Sequence, residues 1–506
     1  MDNVVELGDS LSPEGMIDIA TEHHQAGRLE DAAILYRRVL DAGPRHVDAN
    51  HLLGVIAYQQ DRFDTAVELI GKALRDRPAS DAIRVNLGRA LIGGGRMSEG
   101  AEALWSGGYY DEAEEACREA IARTPEDHLL YILLSRILMD DDRPREAESA
   151  IYEAFRRAPE RDASAGNDTP DLSEYKGATK AFTYSIDIVG TCNLRCPSCP
   201  VGNLSDIERP KGFMDVGLFE EIVKKIKSEC QNETPNLWLF NWGEPFLHPK
   251  LAEIIRIAKA HALPVMLSSN MTTKLDFKEV IRAEPETIKI SLSGMTQEVY
   301  GKTHARGNIE TVKENMRKLR RYIDEFDAKT IAWVGYHMYR HNICDYGDAV
   351  VFANSLNFEF LPIFAFFQPL EKMVELVENK LPDADKTLVD LLIEHPLVGV
   401  IMNKRIADPA HDCELRSKMM TINHDGSVAL CCGVYEPENM LGVKFTDLPH
   451  QELQALKYEH DFCKTCYKSH LPFLPIPPNR PEKNDVTHER QKENLYRKLR
   501  QSRGQE

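Results

Sequence analysis

Four prolines, Pro44, Pro78, Pro125 and Pro159, close successive segments of the N-terminal third at steps of 34, 47 and 34 residues. Each closes a pattern of two short helical runs, and a repeated unit of that length cannot bury its apolar face alone, so neighbours must stack. The turns between runs read GRLEDA, DRFDTA, GYYDEA and DRPREA, and each ends on a small residue: Ala32, Ala66, Ala113 and Ala147. The pairs Leu53-Gly54 and Leu87-Gly88 occupy the preceding runs.

This pattern resembles the tetratricopeptide repeat (TPR), in which small residues let paired helices approach closely. The resemblance implies an all-α solenoid over residues 1–160. Its middle step exceeds the period by 13 residues, so GGGRMSEGAEALWSGG is either an insertion or a degenerate repeat. Cys117 falls at a packing position and reads as a buried apolar residue. Residues 161–177 are polar and rich in turn formers, which reads as a linker.

From residue 178 to 404, short β-rich runs (FTYSIDIV, NLWLFN, PVMLSSN, TIKISLS, TIAWVGYHMY, FEFLPIFAF) alternate with amphipathic helical runs. That alternation predicts an α/β fold with a parallel sheet covered by helices, curling toward a partial (β/α) barrel, with ligands at the carboxyl ends of the strands. Residues 405–475 lose the rhythm and carry five cysteines, predicting a small Cys-rich domain. Residues 476–506 form a Pro-rich and charged tail.

The chain carries 62 Lys plus Arg against 80 Asp plus Glu, a net charge of -18, and no basic block that could track a phosphate backbone, so no nucleic-acid partner is expected. No export signal and no apolar run of membrane-spanning length occur, and FLPIFAFFQPL is short and broken by proline. A cytoplasmic protein with no membrane partner is expected. The eleven cysteines would then stay reduced, and their clustering favours metal ligation over disulfides.

TCNLRCPSCP, residues 191–200, sets Cys192, Cys196 and Cys199 on the loop leaving the first strand. Three thiolates leave one iron of a 4Fe-4S cluster without a protein ligand, where a small molecule can bind. The CxxxCxxC loop resembles the signature of the radical S-adenosylmethionine (radical SAM) enzymes. The resemblance implies that S-adenosyl-L-methionine (AdoMet) chelates the open iron and is reductively cleaved to a 5′-deoxyadenosyl radical that abstracts a substrate hydrogen. A zinc site remains the alternative for the spacing alone.

One strand later, NWGEP resembles the family's GGEP motif, implying that Asn241, Gly243 and Glu244 approach the amino end of AdoMet. Trp242 stands where the family usually has glycine. Ser269 and Asn270, with Ser268, end the next strand and are implied ribose contacts. Ser291 and Ser293 end the strand after that. Arg306, in KTHARGNIE, matches the family's carboxylate-pairing arginine. Ser198 replaces the aromatic residue often found before the third cysteine. His337 shares a strand face with Trp333 and Tyr339, and is either a cavity-lining catalytic candidate or a satisfied core histidine.

The second cysteine set is Cys413, then Cys431 after a hairpin turning at Asp425-Gly426, then Cys463 and Cys466 in DFCKTCY. It resembles the C-terminal extension of the SPASM and twitch subgroups, implying one auxiliary 4Fe-4S cluster on four thiolates, the CxxC loop closing the cage. A four-cysteine zinc ribbon is the alternative, Cys432 is the spare thiol, and Cys230 and Cys344 match nothing. The implied function is an oxidoreductase or maturase acting on a peptide, protein or small molecule, with a flavodoxin- or ferredoxin-type reductant and a protein partner for the repeats. The competing class is a non-catalytic TPR adaptor with structural zinc.

Overall fold

The computed structural model describes residues 11–159, 181–204, 211–230, 234–273, 277–406 and 412–471. The expected linker and C-terminal tail lie outside these residues. The chain divides into two compact units, the first ending at Ala158 and the second beginning at Pro159.

The first unit is helical: α1 Pro13–Gln25, α2 Leu29–Ala42, α3 Val47–Gln59, α4 Phe63–Asp76, α5 Asp81–Gly93, α6 Met97–Ser106, α7 Tyr110–Arg123, α8 His128–Asp140 and α9 Pro144–Arg157. Ser12 starts α1 by accepting a hydrogen bond from the Gly15 N–H at 3.2 Å, ahead of a proline in the first turn. The recurring turn motif has a backbone cause. Its first residue takes the left-handed conformation at Gly27, Asp61, Gly95, Gly108 and Asp142, which glycine and aspartate tolerate best.

Ala32, Ala66, Ala113 and Ala147 are all 0% exposed at the helix crossings, and Cys117 is buried in one cluster with Ala113 and Ala147. The 13-residue excess is resolved as α6, a shortened helix with its own GRMSEG turn. A Cβ on Gly100 would lie 2.5 Å from Ile92 Cγ1 and 2.9 Å from the Gly88 carbonyl, so two glycines set this crossing.

The second unit is built on one nine-stranded sheet: β1 Thr183–Ile186, β2 Asn236–Trp238, β3 Val265–Ser269, β4 Thr287–Leu292, β5 Ile331–Met338, β6 Glu359–Phe364, β7 Met419–Ile422, β8 Ser427–Ala429 and β9 Met440–Lys444. Their order is β6-β5-β4-β3-β2-β1-β7-β8-β9. Pairing is parallel from β6 through β7, then antiparallel from β7 through β9. Strands one to six lie side by side in chain order, each crossover carrying a helix, which is the winding of a barrel left open.

Amphipathic helices cover the outer face. Val216–Glu229 buries Phe219, Ile222, Val223 and Ile226, and Ile309–Glu325 buries Val312, Met316, Leu319 and Ile323. The inner face holds an apolar cluster of Trp238, Met266, Trp333 and Met419. Because β1 to β7 are parallel, their carboxyl ends open on one edge. The C-terminal segment extends the same sheet, β7 adding to the free edge of β1. Its hairpin turns where expected, with Gly426 at φ 85°. Among the described residues, no helix is long and apolar enough to cross a membrane.

Candidate functional site

The three-thiol loop begins at Asp187, one residue past β1. This carboxylate is 4% exposed and accepts hydrogen bonds from the backbone N–H groups of Trp242 (3.2 Å) and Gly243 (3.1 Å), tying the ends of β1 and β2 together. The loop is pinned again by Arg195, whose N–H donates to the Ala305 carbonyl (3.0 Å) and whose guanidinium donates to the carbonyls of Cys192 (2.8 Å) and Leu194 (2.7 Å).

Cys192, Cys196 and Cys199 are free thiols on this loop. Burial raises all three pKa values, Cys192 to about 12 and Cys199 to about 11. The Cys196 thiol is pushed up first by burial and then by its neighbours Cys199 and Cys192. Backbone N–H groups of Val201 and Gly202 act the other way on Cys199, favouring its thiolate. Deprotonating three neighbouring buried thiols is unfavourable unless a cation takes the charge, which is the condition a metal cluster meets.

Glu244 follows β2 and is 3% exposed. It accepts hydrogen bonds from the N–H groups of Asn270 (2.8 Å) and Phe246 (3.1 Å), while burial lifts its pKa to about 7. Asn270, at the end of β3, turns its amide to Asn193 (3.0 Å) and to the sulfur of Cys192 (3.5 Å). Three consecutive strand ends therefore meet at the three-thiol loop. Ser269 is buried and accepts from the Met271 N–H, whereas Ser291 reaches only Ser268, at 3.5 Å.

Gly243 is the residue that must be glycine: its Cβ would lie 1.7 Å from the Val189 carbonyl oxygen. Trp242 keeps its backbone in the motif and sends its indole to the C-terminal segment, donating to the Val434 carbonyl at 3.0 Å. Asn241 faces the same way, its amide nitrogen 3.2 Å from the Cys432 carbonyl. Arg306 stands exposed with φ 71° and makes no hydrogen bond or ion pair with a described residue. Ser198 bonds the hydroxyl of Tyr339 at 2.9 Å, so an aromatic residue from the end of β5 comes to the place where the loop itself lacks one.

The fit of a bound cluster and AdoMet is tested by Tyr300. This side chain is 0% exposed, yet its hydroxyl has no hydrogen-bond partner. Burial raises its pKa, and Cys196, Glu244 and Cys192 raise it further, so the orphaned hydroxyl sits among the groups that would hold the cofactor. A buried hydroxyl without a partner is costly, and a ligand there supplies one.

In the second set, Cys413 precedes β7 and Cys431 follows β8. Cys463 and Cys466 lie on the helix Asp461–Lys468, a correction to the expected loop; at i and i+3 they share one helix face. These four thiols line a single cavity with Leu370, Leu415 and Phe462, and Cys432 is not among its walls. Cys432 packs instead against the apolar cluster of the inner face.

Lys457, 0% exposed, donates to the carbonyls of Arg416 (2.9 Å) and Met419 (2.5 Å). Burial lowers its pKa to about 8, opposed by the charges of Cys431, Cys463, Cys413 and Cys432. Three of these, Cys413, Cys431 and Cys463, line the cavity, so the buried ammonium suits a thiolate cage.

Sequence reasoning passed over Asp187, Tyr300, Tyr339 as a loop partner, and Lys457. Asp187 alone left a signal, an acid inside the otherwise apolar run SIDIV. His337 lies on the inner face of β5, and its imidazole makes no hydrogen bond to a described residue, so it is not a satisfied core histidine.

Residues 186–346 match the Radical SAM superfamily. The chain carries a radical SAM domain. Its N-terminal unit matches the tetratricopeptide repeat over residues 17–80, 52–104 and 99–166. The tungsten-containing aldehyde ferredoxin oxidoreductase cofactor-modifying protein of Pyrococcus furiosus is 27% identical over 144 residues, 28% of this chain. The chain thus spans 38% of the length of that curated relative.

Among solved structures, native anSMEcpe with bound AdoMet aligns at TM-score 0.39 and 16% identity, covering 63% of this chain and 97% of its own. MamA 41-end from Desulfovibrio magneticus RS-1 aligns at TM-score 0.20 and 17% identity, covering 29% and 77% respectively. The radical SAM domain contains all three thiols of the first set together with Glu244, Asn270 and Tyr300.

Proposed function

We propose that the chain is an AdoMet-dependent oxidoreductase or maturase with two 4Fe-4S clusters, the first on Cys192, Cys196 and Cys199 and the second on Cys413, Cys431, Cys463 and Cys466. The observation carrying this reading is the meeting of the three-thiol loop with Glu244 and Asn270 around the unpartnered Tyr300 hydroxyl. When bound, the first cluster and AdoMet supply reductive cleavage to a 5′-deoxyadenosyl radical for hydrogen abstraction.

The chain's own residues hold and shape that site. Glu244 accepts hydrogen bonds from the amino group of AdoMet, with Asn241 and Gly243 beside it. Ser269, Asn270 and Ser291 take the ribose end, and Arg306 swings inward to the carboxylate. Tyr339, anchored on Ser198, offers its ring to adenine. The second set supports a cube over a zinc ion because its thiols line a cavity. A zinc ion would need the four sulfurs about 2.3 Å from one point, and metal analysis of the purified protein separates the two.

We assign residues 1–160 to the repeat domain, 178–404 to the barrel and 405–475 to a SPASM/twitch-like auxiliary region. The repeats recruit a protein partner, a flavodoxin or ferredoxin delivers electrons, and the substrate is a peptide, protein or small molecule met in the cytoplasm. Anaerobically purified protein given AdoMet and dithionite should form 5′-deoxyadenosine, and Cys192→Ala should form none. A colourless, zinc-loaded protein that leaves AdoMet intact would instead support the adaptor.

A further inference from the structure

The inner face of the barrel carries a cation that no described residue neutralises. Lys289 is the third residue of β4, and the register sets it beside Ser268 of β3 and Trp333 of β5. Its neighbours Ile288 and Ile290 are fully buried on the opposite face, so strand alternation turns Lys289 inward. Its ammonium lies 5.8 Å from the centre of the Trp333 ring and makes no hydrogen bond or ion pair with a described residue. Glu359, across from Trp333 on β6, is engaged with another group.

The lysine stem has a built path. Gly335 of β5 leaves the space it crosses: a Cβ there would fall 2.7 Å from Lys289 Cε. Trp333 packs on this face with the apolar side chains of Trp238, Met266 and Met419, and Ser268 stands beside the lysine in the register. Burial lowers the Lys289 pKa to about 8, the direction expected for an ammonium without a counter-ion.

A second, independent observation points to a ligand. Trp333 is 1% exposed, yet its indole N–H, which can only donate, has no acceptor. His337 shares this face. Burial first and the Lys289 charge second hold its pKa far below the usual value, which leaves the ring neutral with one N–H to give. On this barrel face the indole N–H lacks an acceptor and the ammonium lacks a counter-ion, and one anionic oxygen group would supply both. One ammonium flanked by neutral donors balances one negative charge, which suits a carboxylate; a phosphate dianion would leave charge unmatched against apolar walls.

We propose that the barrel interior binds a carboxylate of the substrate on Lys289, with the Trp333 indole N–H and the His337 imidazole as flanking donors. This deepens, and rests on, the reading of the barrel as the chamber of an AdoMet-dependent enzyme.

The test is footprinting of the full, cluster-loaded chain. Lysines are acetylated with acetic anhydride, and the Lys289 peptide is quantified by mass spectrometry with phenylacetate, phenylacetamide, inorganic phosphate or an end-blocked glutamyl peptide. Phenylacetate should reduce Lys289 labelling about fivefold or more by charge pairing, with phenylacetamide and phosphate inert. Protection by the glutamyl peptide as well assigns the carboxylate to a peptide side chain, and protection by phenylacetate alone assigns it to a small acid.

Equal protection by the amide, protection by phosphate alone, or a Lys289 that resists labelling with nothing added would each overturn the proposal. Lys289→Met should weaken phenylacetate binding about tenfold in calorimetry while raising Tm, because an unpaired buried charge is removed. A lower Tm with unchanged binding would contradict it. A parallel 5′-deoxyadenosine assay separates the two readings: loss of AdoMet cleavage in the wild type sinks the enzyme assignment, whereas the footprint alone decides the carboxylate.

Discussion

A Cβ on Gly243 would lie 1.7 Å from the carbonyl oxygen of Val189. The ends of β1 and β2 approach this closely because Asp187 gathers the N–H groups of Trp242 and Gly243. Gly243→Ala must force them apart. The expected cost is about 1–3 kcal/mol of stability from overpacking. A lower Tm together with loss of AdoMet binding in calorimetry checks it; an alanine variant that binds AdoMet normally would show that the approach is dispensable.

Glu244 sets a pH dependence. Burial raises its pKa to about 7, so below that pH the carboxyl is protonated and cannot serve as a charged acceptor. AdoMet affinity should fall by about tenfold between pH 8 and pH 6, most of it below pH 7. The folded state holds the proton more tightly than the unfolded chain, so this group's contribution to ligand-free stability is present at low pH and is lost as pH rises through about 7. Glu244→Gln should flatten both profiles, in calorimetry and in Tm measured against pH.

The cysteine assignments predict iron counts. Wild-type protein should hold about eight irons per chain, and Cys413→Ala or Cys463→Ala about four, since each cube carries four irons. Cys432→Ala, outside the cavity, should keep about eight and lose about 1 kcal/mol of packing. Elemental analysis after anaerobic purification decides between them.

In the repeat unit, Gly100 meets Ile92 and the Gly88 carbonyl at the crossing of α5 and α6. Gly100→Val should destabilise this unit by about 1–3 kcal/mol or more, read as an earlier thermal transition in circular dichroism. Gly27→Ala places its Cβ in open space and meets only the left-handed backbone, so its cost should be about 1 kcal/mol.

Local chemistry made much of this legible in the sequence. Ala32, Ala66, Ala113 and Ala147 announce helix crossings because only small side chains fit there. The CxxxCxxC loop announces a metal because three clustered thiols have little other use. α6 stayed hidden because its length departs from the repeat, although its GRMSEG turn obeys the same left-handed rule at Gly95. Tyr300 and Tyr339 could not be found because their partners lie far away in sequence; the barrel winding alone brings them to the cysteine loop. Lys289 carries no signal in the sequence, since alternation places it on a face but says nothing of whether that face holds a counter-ion. The CxxC of Cys463 and Cys466 read as a loop because two cysteines at that spacing serve loops and helices alike.

The most direct test of the central claim is Mössbauer spectroscopy on iron-57-loaded protein carrying Cys413→Ala and Cys463→Ala, so that only the N-terminal cluster contributes. Adding AdoMet should shift the signal of a single iron in a four-iron cluster, the one without a thiolate. Four equivalent irons indifferent to AdoMet, or zinc in place of iron, would contradict the account.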